Sequence, residues 1–381
     1  MTTRLSRLCG ALLLWLLATP ALAATVTDLA GRTVSVPERA EAIVLGESRY
    51  IPALAILEGD AVIERLAGLL PDFEQTDPAG YAQYLARFPA LAAVPRVGHA
   101  SADSFSLESV LAMGADLAIF SLEGHGPGAR NRELIERLER AGVAVVFIDF
   151  RQDPLRNTPR SMAMLGEVLG RRAEAERFNR FYREELAKVS EAVAAIPERE
   201  RPSVFLHSRV GLHDGCCETM ADGMLGRFIP AAGGRNVAAE RLPGVSGTLS
   251  LETLISEPPD RYLATAIGSA GRQVSDNERP YVVLGAGVDE ATARRSLARA
   301  TARPGLAALP AIANPERAFA LWHHFYNTPL NVVAVQALAR WLHPERLAHL
   351  EPQRTLATFY RRFQPVELDG TYWVELAEGT P

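Results

Sequence analysis

Residues 106–121 read SLESVLAMGADLAIFS, and residues 250–265 read SLETLISEPPDRYLAT. Each begins Ser-Leu-Glu and carries an Asp (Asp116, Asp260) eight residues after the Glu. Each then runs into an apolar stretch, Leu117–Phe120 or Tyr262–Thr265, and a glycine-bearing loop, Leu122–Gly128 or Ala266–Gly271. A helix followed by a buried strand, repeated once in the middle of each half, predicts two lobes of shared α/β architecture.

Outward from these copies the same alternation holds. Val26–Pro37 alternates about Ala30-Gly31 and predicts a hairpin. Strands are predicted at Ile43–Leu45, Val143–Ile148, Val204–Leu206 and Phe319–Trp322, and helices at Ile51–Leu57, Glu133–Ala141, Met220–Ala232, Val332–Leu342 and Thr355–Phe363. Strands alternating with helices point to mostly parallel sheets. Between the halves, Thr158–Ile196 is helical and broken at Gly170; its second part, Arg172–Ala195, would span about 36 Å and act as a rigid strut. The predicted layout is a leader (1–23), a first lobe (24–170), a connecting helix (171–196), a second lobe (197–365) and a tail (366–381).

The N-terminus sets the compartment. Arg4 and Arg7 precede the apolar run Leu8–Ala18, and Ala21-Leu22-Ala23 is a small-large-small triplet. That order predicts a secretory signal cleaved after Ala23 and a periplasmic protein. The remaining chain is long enough for two domains. The formal charge is −5 and no long Lys or Arg run occurs, so nucleic-acid binding is not expected. Of three cysteines, Cys9 falls in the leader, leaving the adjacent pair Cys216 and Cys217. A trans peptide would hold their Cα atoms about 3.8 Å apart, short of the usual disulfide range, so a vicinal disulfide and two buried thiols both stay open.

The opening VTDLAGRTVSVP leading to IVLG, the two Ser-Leu-Glu helices, the single linking helix, FLHSRVG (205–211) and WHHFYNTPLNVVAVQALARWLHP (322–344) together resemble the periplasmic binding proteins of ABC importers for iron-siderophores, haem and cobalamin. The resemblance covers nearly the whole secreted chain and rests on the order of these segments. It implies two α/β lobes, one long connecting helix and an inter-lobe cleft. It also implies a role for Glu108 and Glu252, one per lobe, in docking onto arginines of an inner-membrane permease dimer. A monomer is expected.

Ligands in α/β sheets sit beyond the carboxyl ends of strands. That rule selects the loops Gly46–Tyr50, His99–Asp103, Glu123–Gly126, Ser208–Thr219, Ile267–Arg272 and His323–Tyr326. Within or beside them fall Arg49, Tyr50, Arg209, Trp322 and Tyr326, where guanidinium groups suit anionic oxygens and rings suit flat or apolar surfaces. Six histidines join them: His99, His125, His207, His213, His323 and His324. No H-E-x-x-H or C-x-x-C spacing occurs, so hydrogen bonding to a ligand is expected in place of metal chelation, and no resident cofactor is expected. His323 and His324, read as extended, should point to opposite sides. The chain also lacks a G-x-S-x-G elbow, and Gly124–Gly128 lacks a phosphate-loop lysine. A binder of a metal chelate, first a ferric siderophore, is expected; haem, cobalamin, a smaller metal complex and an oxyanion remain open. The reading from another class is an enzyme, either a secreted His-based metallohydrolase or a thiol enzyme pairing Cys216 with His213.

Overall fold

The computed structural model describes residues 24–213, 215–270 and 280–376. The leader read at 1–23 lies outside these residues, as do Gly271 and Arg272 of one cleft loop and residues 377–381 of the expected tail.

Strands β1 (Ala24–Thr27) and β2 (Thr33–Val36) form the antiparallel hairpin, in register Ala24↔Val36 to Thr27↔Thr33. Its turn is closed by Asp28, whose Oδ1 accepts from the N–H groups of Ala30 and Arg32, both at 3.0 Å. Gly31 takes the positive φ that the turn requires (77°). Strands β3 (Ile43–Leu45), β4 (Leu66–Leu69), β5 (Leu117–Ser121) and β6 (Ala144–Ile148) form a parallel sheet in the order β4-β3-β5-β6.

The second half contributes β7 (Ser203–His207), β8 (Glu218–Met220), β9 (Arg235–Asn236), β10 (Ser246–Thr248), β11 (Arg261–Ala266), β12 (Ala318–Trp322) and β13 (Trp373–Glu375). Its main sheet runs β13-β12-β11-β7-β9, parallel except at β13, while β8 and β10 pair as a separate antiparallel ribbon. Matching β3 to β7, β5 to β11 and β6 to β12 maps one sheet onto the other.

The Ser-Leu-Glu copies explain themselves in this frame. Ser106 Oγ accepts from Ser109 N, and Ser250 Oγ accepts from Thr253 N, each at 3.1 Å, so the two short helices Leu107–Ala112 and Leu251–Ser256 carry the same N-cap. Asp116 accepts from Glu41 N (2.7 Å) and Ala42 N (3.2 Å), just before β3; Asp260 accepts from Ser203 N (2.8 Å), opening β7. In each lobe the Asp ties together the starts of the two central strands.

The helix Arg172–Ala194 connects the halves over 23 residues, about 35 Å at 1.5 Å per residue. The preceding helix, Pro154–Val168, is followed by Gly170 at φ 70°. A Cβ at Gly166 would lie 2.5 Å from that of Ala175, so glycine lets the two helices approach. Phe178 packs edge-on against Phe359 and Phe363 of the helix Pro352–Phe363, and Tyr182 donates to Asn331 Oδ1 at 2.6 Å. One apolar core runs from β3 through this helix to β7 and β12; a second covers the outer face of the first sheet around Val44, Phe120 and Phe147.

Two sequence expectations are corrected. Met220–Ala232 is not one helix: β8 ends at Met220, Gly223 stands at φ 157°, and only Phe228–Ala231 makes an α-helical turn. The apolar spacing there serves a ribbon and a buried loop. Nor is 366–381 simply a tail, because Trp373–Glu375 pairs antiparallel with β12 and turns Tyr372 and Val374 into the core. Three residues were too short a run to read as a strand.

Candidate functional site

The loops beyond β3, β5 and β6 meet the one beyond β12 around one buried carboxylate, Glu47. Its Oε2 accepts from Arg49 Nη2 (2.6 Å), Arg151 Nη2 (3.3 Å) and, from the second lobe, Asn327 Nδ2 (3.2 Å). Its Oε1 accepts from His125 N at 3.1 Å. Gly124 is the residue that admits it, since a Cβ there would fall 1.7 Å from Oε1. Arg49 is also bound through Nε to Asp72 Oδ2 at 2.9 Å, and Asp72 Oδ1 accepts from Ser48 N and Oγ. Tyr326 stands beside the Arg49 guanidinium, and Arg151 lies over its ring at 5.1 Å. Burial pushes the Glu47 carboxyl up, but Arg151 and Arg49 overcome this and hold it at about 2.

The expected site residues divide. Arg49, Tyr326 and the backbone of His125 are drawn into the Glu47 cluster. Tyr50 is fully buried against Phe150. Arg209 pairs with Glu218 on the rim, and His213, exposed, stands 3.9 Å from the same carboxylate. His99 is exposed on its loop and joins no part of the cluster. His207 ends β7 inside the core, its Nδ1 2.7 Å from Tyr262 Oη; burial, with Arg303, pulls it down to about 4, so it faces away from the cleft chemistry.

His323 and His324 lie in a 3-10 turn, His323–Asn327, not on an extended segment. They diverge all the same: His323 Nδ1 meets Thr265 Oγ1 at 2.9 Å within its own lobe, and His324 Nε2 meets Thr76 O at 3.1 Å across the interface. Burial, then nearby positive charge, holds both below the usual imidazole range, His324 at about 3. Trp322 packs against His324 and Tyr372. Cys216 and Cys217 form a vicinal disulfide across a cis peptide, with the Cα atoms 3.1 Å apart, closer than the 3.8 Å of a trans bond. Among the described residues no three His, Cys, Asp or Glu side chains are grouped to hold a metal ion.

Sequence reasoning passed over Glu47, Asp72, Arg151 and Asn327. Glu47 sat inside a selected loop beside Arg49. Arg151 follows β6, a strand end to which the same rule applied but whose loop was not chosen. Asp72 and Asn327 had no local signal.

Glu108 and Glu252 are exposed on their matched helices, one on each lobe. No helix among the described residues is long and apolar enough to cross a membrane.

Two pseudo-symmetric α/β lobes, a single long connecting helix and facing strand-end loops define a two-lobed solute-binding protein. The family model described as periplasmic binding protein matches residues 62–317, and the chain belongs to that family. Among solved structures it is similar to the TroA-like periplasmic binding protein FepB from Veillonella parvula, with a TM-score of 0.80, 21% identity, and 93% of this chain and 99% of that one covered. It is also similar to the molybdate periplasmic binding protein MolA of Haemophilus influenzae (TM-score 0.67, 15% identity, 91% and 99% covered). A third similar structure is a periplasmic heme binding protein from Pseudomonas aeruginosa (TM-score 0.52, 21% identity, 80% and 94% covered). No curated protein gives a significant sequence match.

Proposed function

We propose that this protein captures a metal chelate, first among them a ferric siderophore, in the inter-lobe cleft and delivers it to the permease of an ABC importer. The observation that carries the reading is the meeting of strand-end loops from both lobes. They bring Arg49 and Arg151 against Tyr326 and Asn327, with Arg209 on the rim. Guanidinium groups suit the anionic oxygens of many chelates, and Tyr326 and Trp322 offer aromatic surface nearby. The capped helices bearing Glu108 and Glu252 supply one exposed carboxylate per lobe, a pairing suited to a two-fold permease.

Intrinsic fluorescence titration tests the ligand, with Trp322 against the interface as a reporter. The panel is a ferric catecholate siderophore, a ferric hydroxamate siderophore, haem, cobalamin and molybdate. Saturation by a ferric siderophore at micromolar concentration or below supports the proposal. Saturation by another member alone overturns the siderophore assignment and keeps the transport role. Binding of none overturns the proposal.

A further inference from the structure

We infer that Leu111 and Ile255 are matched apolar contacts for a two-fold membrane partner, one on each lobe. The inference rests on the transport reading and adds the contact that would hold the partner once charge has brought it near. Among the described residues only three large apolar side chains are exposed: Leu111 (41%), Val245 (41%) and Ile255 (52%). Leu111 and Ile255 occupy the same place in the two Ser-Leu-Glu copies, each five residues after its capping serine, Ser106 or Ser250. The residues before them, Val110 and Leu254, are fully buried and fix each short helix to its lobe. One further step of about 100° round the helix turns the next side chain outward. There, neither Leu111 nor Ile255 joins an apolar core. A single exposed aliphatic side chain is ordinary. Two at one repeat position, on helices that also share a cap and a carboxylate, have no explanation in packing or in solubility.

On each helix the aliphatic residue stands three places after the glutamate, so Glu108 with Leu111, and Glu252 with Ile255, share a face. Neither carboxylate has an ion pair among the described residues. The partner that fits presents basic groups beside an aliphatic recess, and presents that pair twice. Two copies of this chain meeting through these faces would set carboxylate against carboxylate, which is costly. An anionic lipid surface would repel both. In a contact with a two-fold permease the charges steer encounter, while the aliphatic side chains, once buried, set how long the complex lasts.

The test places the photo-crosslinking residue p-benzoylphenylalanine at Leu111, at Ile255, or at the exposed Arg183 of the connecting helix, with the protein expressed in the cell that makes it. Both lobe positions should crosslink to the same membrane-spanning importer subunit, and Arg183 should not. That subunit, reconstituted in nanodiscs, is then the probe for binding kinetics with the purified protein. Leu111→Ser/Ile255→Ser should melt as the wild type and dissociate at least about tenfold faster, the scale set by burying two half-exposed aliphatic side chains. The effect should be the same at low and high salt. Glu108→Ala/Glu252→Ala should instead slow association, and only at low salt. Crosslinks to different partners or to none, equal crosslinking from Arg183, or dissociation as slow as the wild type's would each overturn the inference. If Glu108→Ala/Glu252→Ala still slows association in that case, the docking role of the glutamates stands without the aliphatic pair. Flotation of the wild type, but not of Leu111→Ser/Ile255→Ser, with protein-free phosphatidylethanolamine–phosphatidylglycerol vesicles would assign the pair to lipid and overturn the inference as well.

Discussion

Replacing Glu47 by Gln removes one charge and little volume from the point where the lobes meet. In the folded protein the Glu47 carboxyl sits at about 2, against 4.5 as its ordinary value. A folded-state value below the unfolded one means that the ionised group stabilises the fold above about pH 5. That contribution is lost as pH falls through 4.5 toward 2. The gap corresponds to about 3 kcal/mol at neutral pH. Between a third and a half of this is gone by about pH 3.5. Contacts give a similar size: a buried ion pair stripped of one partner typically loses about 3–5 kcal/mol, and Arg151 would be left with a neutral neighbour. Glu47→Gln should therefore destabilise by about 3 kcal/mol at pH 7 and by roughly half that at pH 3.5, read from urea unfolding followed by circular dichroism. A loss below about 1 kcal/mol at pH 7, or one that does not shrink in acid, would refute the reasoning.

Phe178→Ala should cost about 3–5 kcal/mol in the same unfolding assay, because the ring is fully buried among Tyr182, Phe359 and Phe363 and its loss opens a cavity beside the connecting helix. His207 has a folded-state pKa of about 4, below its ordinary 6.5, so it takes stability away as pH falls from about 6.5 to 4. His207→Phe should flatten that stretch of the stability–pH curve, and an unchanged slope would count against it. The double variant Glu108→Ala/Glu252→Ala should bind ligand as the wild type does but fail in permease-dependent uptake; normal uptake at normal protein level leaves these residues only their place in the helix's first turn. Arg209→Ala should weaken ferric-siderophore binding about tenfold in the fluorescence titration, the loss of one charge-assisted hydrogen bond. Wild-type affinity in that variant would remove Arg209 from the site.

The architecture was legible because its signals are local and repeated. Ser106 and Ser250 cap equivalent helices, and Asp116 and Asp260 close equivalent strand pairs, so two short matches carried the shape of both lobes. The connecting helix Arg172–Ala194 differs from its expected end by one residue. What escaped reading was set by tertiary partners. β13 exists because β12 offers an edge, and three residues of alternation do not announce a strand. The Glu47 cluster gathers residues 47, 49, 72, 125, 151 and 327, whose proximity is a consequence of the fold and not of any spacing. His207 was selected by its position near a strand end, yet in a parallel strand the last residue alternates between faces as any other does, and here the core face won.

The three arginines differ in what it takes to free them. Arg49 is 4% exposed and is held by two carboxylates that are themselves buried, so releasing it toward a ligand would strand Glu47 and Asp72 in a poorly solvated place. Arg151 shares Glu47 with it and covers Tyr326, an arrangement that fixes the lobes against each other. Arg209 is different: its side chain is 38% exposed and its partner Glu218 is 26% exposed, a setting in which an ion pair contributes about 0–1 kcal/mol and water can take either partner's place. An arriving anion can exchange for Glu218 at Arg209 at little cost. At Arg49 the same exchange would have to displace a desolvated carboxylate that also bonds the opposite lobe through Asn327. Under the proposed function, Arg209 is therefore the arginine that an anion reaches at least cost, and Arg49 the one whose pairing with Glu47 and Asp72 it would have to break.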